Sequence, residues 1–432
     1  MQVSKYTDRC KSLKCSQDKR NPVSRHLRLF LILAVISLVI RVAGLVMLGP
    51  VVSQDTEDYT IPAINIASGD DYFTGLEKRD VLRTPGYPLF LAGVYAVVGE
   101  NNFVVALLQQ VMVVLAGIFV FLVGRKVVGE LPAVIGASIF LLNPYMLIFP
   151  NFILSEPISI LTLSALVLLL LLAMEKDQSY YFLASGLLLG YHILCRPPEQ
   201  LLPLVILVPL WMKYRSLKRV VRFFLLLILG VALVILPWFW YNYAKTGNVG
   251  FTPLLGRNLA LKVAHHTSVT LDLPPSVEVD SVIEKRGNVW EASNKLMEAG
   301  YSREEVDEIY LQGALRVIKK RPFSFLLWQA QELWEFWRGY DLQGFVRLPR
   351  IGRLFVTSGV GLVMLFLFLL GLFRLQVNFC SIFLILTIAY FALIVPLGGF
   401  GSTRFRFPVE PYIWIYAANG LLLILSSVRK RL

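Results

Sequence analysis

Charge is scarce in this 432-residue chain: Asp, Glu, Lys and Arg make up 16% of it, while hydrophobic residues reach 56%. Soluble proteins carry about 25% charged and about 45–50% apolar residues, so a water-soluble fold is excluded. Acid is scarcer than base, 29 residues against 42, giving a formal net charge of +13. The basic residues cluster beside hydrophobic runs, as cytoplasmic membrane anchors do, which sets nucleic acid aside as a partner. Cysteine is nearly absent, and Cys10, Cys15, Cys195 and Cys380 all lie outside the one long polar segment. That placement excludes a disulfide framework. Cys10 and Cys15 lack the second pair of ligands that a zinc site needs.

What is there is a series of apolar runs. The tail to Arg28 holds eight Lys and Arg against Asp8 and Asp18, then leads into Leu29 to Leu48. That run exceeds a signal-peptide core of about 7–15 residues and no small-residue cleavage site follows it. It reads as a retained first span with a cytoplasmic N-terminus. Other runs near the crossing length of about 20 residues are Phe103 to Val123, Ala133 to Phe149, Ile158 to Met174, Val220 to Trp240, Leu354 to Phe373, Phe379 to Leu397 and Tyr412 to Val428. The shorter runs Tyr181 to Leu194 and Leu201 to Trp211 add tilted spans or a re-entrant hairpin and preserve parity. The count is ten or eight, with about ten transmembrane helices expected.

Pro85 to Val98 decides the topology. If it crossed, Lys213, Arg215, Lys218, Arg219, Arg222 and the terminal Arg429, Lys430 and Arg431 would all lie outside, against the rule that short-loop Lys and Arg stay inside. It is therefore read as an interfacial or half-buried helix. The organisation that follows is a basic cytoplasmic tail (1–28), a membrane bundle (29–243) with an outward first loop (49–102), an extracytoplasmic, mostly helical insertion (244–350) and C-terminal spans (351–432). The insertion is charge-balanced, with 14 basic and 13 acidic residues. Within it Ser302 and Glu305 form a capping-box pattern, and the Trp-rich stretch after Arg321-Pro322 reads as an interfacial helix.

The first outward loop concentrates acid: Asp55, Glu57, Asp58, Asp70, Asp71, Glu77 and Asp80. Most read as solvated loop residues. Asp55 follows the first span closely enough to sit at membrane level, where partial desolvation raises a carboxyl pKa toward general-base range. Arg83, ahead of Pro85, Gly86 and Pro88, offers a fork suited to phosphate oxygens. Glu156, Arg196, Arg404 and Arg406 fall at the rims of later spans, and Glu156 with Asp55 is a candidate pair for a divalent metal. Arg41, inside the first span, is expected to face the bundle and a carboxylate. His265 and His266 are adjacent, and adjacent histidines point apart in most backbones, which disfavours a shared metal.

Asp55, Tyr59, Ala63, Gly69 and Asp70, at offsets 0, 4, 8, 14 and 15, resemble the first-loop signature of the multi-span lipid-phosphate-sugar glycosyltransferases. These are the aminoarabinose transferase and protein O-mannosyltransferase groups of the GT-C fold. The Arg83-Thr-Pro-Gly-Tyr87-Pro segment resembles their Lys-Pro-Pro-Leu stretch, with Arg where those groups carry Lys. Asn143-Pro144, Ser155-Glu156 and the stretch from Gly401 through Arg404 and Arg406 to Pro408 agree with the same pattern. The resemblance extends from Leu29 to the C-terminus.

It implies an all-α, GT-C-like membrane bundle in the plasma membrane that moves a sugar from a polyprenyl-phosphate donor to a glycan, lipid or protein acceptor, with inversion. Asp55 is implied as the catalytic base, and Tyr59, Arg83, Tyr87, Glu156, Arg196, Arg404 and Arg406, from their places in the loop and at the rims, are expected to bind substrate. The sequence marks no definite cofactor, and a divalent metal near Asp55 and Glu156 is an option. The competing functions are a lipid-linked sugar flippase, which should show broken helices in paired repeats, and a glycan polymerase or ligase, which should place its key cations in a large outer loop.

Overall fold

A computed structural model describes residues 25–53, 55–76, 83–247, 249–251, 254–273, 282–283, 286–339, 359–398 and 403–429. Cys10, Cys15, Glu77, Asp80 and the boundary at residue 350 lie outside them. The first half contains α1 (Arg25–Leu48), α2 (Glu57–Ser68), α3 (Gly86–Val98), α4 (Asn102–Val127), α5 (Glu130–Leu142), α6 (Glu156–Lys176), α7 (Ser179–Cys195), α8 (Leu202–Tyr214) and α9 (Leu217–Thr246). Then come α10 (Leu255–His266), a two-residue pairing of Val269–Thr270 with Val282–Ile283, α11 (Arg286–Glu298), α12 (Arg303–Lys320) and α13 (Pro322–Trp337). The chain closes with α14 (Val360–Leu372), α15 (Phe379–Ala389), the short α16 (Thr403–Arg406) and α17 (Glu410–Arg429).

Among the described residues six helical segments are long and apolar enough to cross a membrane: α1, α4, α6, α9, Phe379–Leu397 and α17. A seventh forms if α5 and the following Pro144–Asn151 segment, bent by 54°, count as one. The protein is an integral, multi-pass membrane protein. Where ten spans were expected, α7 with 17 residues, α8 with 13 and α14 with 13 described residues are shorter than that length. The 13 residues of α3 make about 20 Å of helix, short of a hydrocarbon core of about 30 Å.

Close helix approach replaces the hydrophobic effect as the cohesive force inside lipid, and it needs small residues. A Cβ at Gly186 of α7 would lie 2.1 Å from the Leu227 carbonyl oxygen of α9, and one at Gly371 of α14 would lie 2.0 Å from the Tyr416 carbonyl of α17. Any side chain at either position would force the two helices apart.

The bend after α5 is stabilised from α1. Asn143-Pro144 interrupts the helix, and a break leaves carbonyls without intrahelical donors. Arg41, fully buried, donates to the carbonyls of Leu141 (2.9 Å) and Met146 (2.5 Å), to Gln110 Oε1 (2.9 Å) and to Ser37 Oγ (3.1 Å). Its partners are amide, carbonyl and hydroxyl oxygens, where a carboxylate was expected.

The insertion has its own small core of Leu259, Val263, Val269, Ile283, Val289, Leu296, Val306 and Tyr310, with Trp328 of α13 against it. Its α12 begins at the expected capping box: Ser302 Oγ accepts from Glu305 N, and the Glu305 carboxylate accepts from Ser302 N at 2.8 Å. The expected boundary at residue 244 falls inside the last turn of α9.

Candidate functional site

Three connections gather the site at one end of the bundle. After α1, Val51 N donates to the Asn151 carbonyl (2.8 Å), and Ile153 N donates back to the Val51 carbonyl (3.2 Å). The segment before Asp55 is thereby stitched to the one before Glu156. At the second connection, Gly86 opens α3 against the end of α7: a Cβ there would be 2.5 Å from Cys195 N and the Leu194 carbonyl carbon. Tyr191 Oη also donates to the Gly86 carbonyl at 3.0 Å. This contact sets Arg83 and Arg196 on one rim. The third connection is α16, which delivers Arg404 from the C-terminal half.

The result is an alternation of charge. Arg83 Nη2 donates to Asp55 Oδ1 (3.3 Å) and Asp58 Oδ2 (3.1 Å). Arg404 Nη1 donates to Asp55 Oδ2 at 2.8 Å, and its Nε donates to Glu156 Oε1. Arg196 Nη1 lies 3.2 Å from the same Glu156 oxygen, and Arg196 Nε lies 3.4 Å from Glu199 Oε1. Exposure grades along the line: the side chains of Asp55 and Arg404 are 38% and 34% accessible, whereas Glu156 and Glu199 are each 1%. The open end faces solvent and the closed end is in the bundle.

Burial pushes the Asp55 carboxyl up, but the charges of Arg404 and Arg83 outweigh it, so its pKa lies below the usual carboxylate value. The expected desolvated, raised base is therefore a charge-held carboxylate. Arg404 is itself held firmly protonated: burial opposes its charge, and Glu156, Tyr59 and Asp55 more than compensate.

Tyr59 and Tyr87 line the aromatic wall. The Arg83 guanidinium sits over the Tyr59 ring at 5.0 Å, and the Tyr59 and Tyr87 rings meet edge to face at 5.0 Å. Tyr87 Oη donates to Gln109 Oε1 at 2.6 Å, while Gln109 Nε2 holds the carbonyls of Pro150 and Phe152. Tyr59 thus touches the charged array directly, and Tyr87 supports it from a fully buried position.

Arg406 does not join the array. It is fully buried, donating from Nη1 to the carbonyls of Phe336 (2.6 Å) and Arg338 (2.8 Å) and from Nε to Glu410 (3.2 Å). A cation at the C-terminal end of α13 satisfies carbonyls that have no intrahelical donor, and that position points it away from Asp55. Asp58, read from sequence as a plain loop acid, does join through Arg83. Glu199 and His192 were missed, although Glu199 stands out as a charge between Pro197-Pro198 and an apolar run.

The metal pair fares differently from the arginines. Asp55 and Glu156 are bridged by Arg404, so a guanidinium already stands between the two carboxylates. Among the described residues no group of three or more His, Cys, Asp or Glu is arranged to hold an ion. With Arg404 between them, these two carboxylates face a guanidinium. His266 stacks on Trp328 with ring centroids 5.1 Å apart, in the insertion.

Residues 82–241 match the family described as dolichyl-phosphate-mannose-protein mannosyltransferase. No curated protein sequence matches the chain. Among solved structures, the apo oligosaccharyltransferase of Archaeoglobus fulgidus aligns over 93% of this chain and 51% of its own, at 14% identity and a TM-score of 0.55. The same archaeal enzyme, AglB, in complex with an inhibitory peptide and a dolichol-phosphate aligns over the same shares at 14% identity and a TM-score of 0.54. ArnT from Cupriavidus metallidurans bound to undecaprenyl phosphate aligns over 90% of this chain and 77% of its own, at 13% identity and a TM-score of 0.40. The chain spans about half the length of the archaeal enzyme. The protein is a polytopic membrane protein of the GT-C fold, and its residues 82–241 match the dolichyl-phosphate-mannose-protein mannosyltransferase family.

Proposed function

We propose that this protein transfers a sugar from a polyprenyl-phosphate donor to an acceptor hydroxyl or amine of a glycan, lipid or protein. The observation that carries the reading is the convergence of Arg83, Arg404 and Arg196 on Asp55 and Glu156 at one rim of the bundle. One group there can take a proton, and three guanidiniums can meet a phosphate. The rim faces away from the cytoplasm and both chain ends lie inside, in the plasma membrane. Supporting this, Lys213, Arg215, Lys218, Arg219 and Arg222 are exposed where α8 ends and α9 begins, at the other end of the bundle.

The chemistry is a single displacement with inversion. The acceptor attacks the anomeric carbon as the bond from that carbon to the phosphate oxygen breaks, and Asp55 takes the acceptor's proton. The departing phosphate gains charge that Arg83, Arg404 and Arg196 are preorganised to meet, in a site where such stabilisation is the larger share of catalysis. In the unliganded site Arg404 and Arg83 hold Asp55 strongly ionised and thus a weak base. A donor phosphate that shares those guanidiniums loosens their hold and restores basicity when the acceptor is present. Tyr59 gives the donor an aromatic face, and Tyr87 backs that ring from inside the bundle. The reaction as drawn needs no metal, because Arg404 supplies the cation between the two acids.

The experiment is a donor panel of polyprenyl-phosphate and polyprenyl-pyrophosphate sugars offered to the purified full chain with a mixed pool of membrane acceptors. Transfer from a monophosphate donor is expected. Donor movement across a vesicle bilayer without formation of a new glycosidic bond would contradict the reading.

A further inference from the structure

The charged line does not stop at Arg196. Beyond it Glu199 Oε2 meets His192 Nε2, and His192 Nδ1 lies 2.7 Å from Thr162 Oγ1. Glu199 and His192 are 1% and 0% exposed and Thr162 is 6%, all at the level where α6 and α7 pack. Nothing in the displacement uses them. Burying a carboxylate and an imidazole in a bundle is costly unless they are paired, and here they are paired in series, ending on an arginine of the site.

Thr162 Oγ1 lies 2.7 Å from His192 Nδ1 and 2.8 Å from the Ile158 carbonyl one turn back along α6, so its hydroxyl ties the imidazole to the helix backbone. The other imidazole nitrogen faces a carboxylate oxygen, an approach that two lone pairs do not tolerate, so one proton is held between Nε2 and Oε2. Glu199 is thereby fixed from behind by an imidazole that is itself fixed from behind by a hydroxyl. The remaining Glu199 oxygen, Oε1, faces Arg196 Nε, which turns the Arg196 fork toward Glu156 and the rim. The Arg196 guanidinium also lies over the Phe405 ring at 5.3 Å, beside Arg404.

We infer that Thr162, His192 and Glu199 are positioning residues that aim Arg196 at the donor phosphate. The inference rests on the proposed transfer reaction and adds three residues, none of which touches substrate. Each link removed should loosen Arg196 and weaken the hold on phosphate, without removing the base. The donor KM and the Kd for polyprenyl phosphate should rise together.

The test uses the purified full chain in lipid nanodiscs, with a short-chain polyprenyl phosphate as the binding probe and transfer from the sugar-charged form as the kinetic readout. Thr162→Val keeps the shape and deletes the hydroxyl, and should raise both constants about fivefold. Glu199→Gln keeps the size and deletes the charge, and should raise them about tenfold or more. Thr162→Ser restores the hydroxyl and should recover the wild-type constants. Thr387→Val deletes a buried hydroxyl on α15 whose hydrogen-bond partner among the described residues is the Phe383 carbonyl. It reports the cost of such a change with no link to the site, and should leave both constants unmoved. If Thr162→Val and Glu199→Gln lower only the melting temperature or yield while KM and Kd stay at wild-type values, the inference is overturned and the transfer reading stands. If the wild-type chain neither binds polyprenyl phosphate nor transfers sugar, the reading falls and takes the inference with it.

Discussion

Two sets of arginines in this protein are built on opposite rules. Arg41, inside α1, is enclosed by neutral oxygens, among them carbonyls released by the break after α5, and it is fully buried. Arg83, Arg404 and Arg196 are instead surrounded by carboxylates and reach an opening where Asp55 and Arg404 are about a third exposed. A cation satisfied by dipoles holds a bend in place and offers nothing to a ligand. A cation shared among carboxylates at an opening can exchange one partner for an incoming phosphate with little rearrangement. Burial alone does not make this separation, since Arg196 is buried as Arg41 is and yet belongs to the array.

The largest test of this contrast is Arg404→Gln. It removes the bridge between Asp55 and Glu156 and a main support for the leaving phosphate, and should lower kcat about 10²–10³-fold while the protein still inserts and binds detergent normally. Steady-state transfer with matched folded protein measures it. Next is Arg41→Gln, which strands the carbonyls at the bend. It should cost about 3 kcal/mol of stability and appear as a lower melting temperature, with donor KM and kcat per folded molecule unchanged. If transfer kinetics rather than stability moved, the division between the two sets would fail. Arg406→Gln, two positions from Arg404, should resemble Arg41→Gln in kind: a loss of stability at the end of α13 and no change in donor affinity.

Much of the fold was legible, because hydropathy and the placement of Lys and Arg are one-dimensional signals. Pro85 to Val98 is one instance: its prolines mark a helix start, and α3 runs Gly86–Val98. The capping box at Ser302 and the identity of Asp55, Tyr59, Arg83, Glu156, Arg196 and Arg404 as neighbours were also readable in order along the chain. What was not readable is facing. Arg404 and Arg406 sit two residues apart on one short turn, and nothing in the sequence says that one enters the site while the other caps α13. Asp58 looked like every other loop acid until Arg83 folded over it. His192 lies in an apolar run whose partner, Glu199, comes after a proline break, so the pairing exists only once α7 has ended. The direction of the Asp55 shift was misjudged for the same reason: burial can be guessed from position, but the two arginines that outweigh it arrive from distant segments.

Smaller effects sharpen the same contrast. A chelator should change the transfer rate by less than about twofold, because no bound cation is drawn into the reaction; a rate abolished by chelation and restored by a divalent ion would reinstate the metal. Acidification protonates Asp55 only below the ordinary Asp value of about 3.9, since its folded pKa is depressed. The acid limb of kcat/KM, which reports the free enzyme, should therefore be absent between about pH 5 and 7.

The most direct measurement is single-turnover transfer by Asp55→Asn against wild type, with polyprenyl phosphate binding followed in the same preparations. Asn keeps the size and the ability to accept hydrogen bonds from Arg83 and Arg404 but cannot take a proton. The account predicts a rate about 10²–10⁴-fold lower, with binding of the lipid phosphate retained. Transfer by Asp55→Asn at the wild-type rate, in correctly inserted protein, would contradict it.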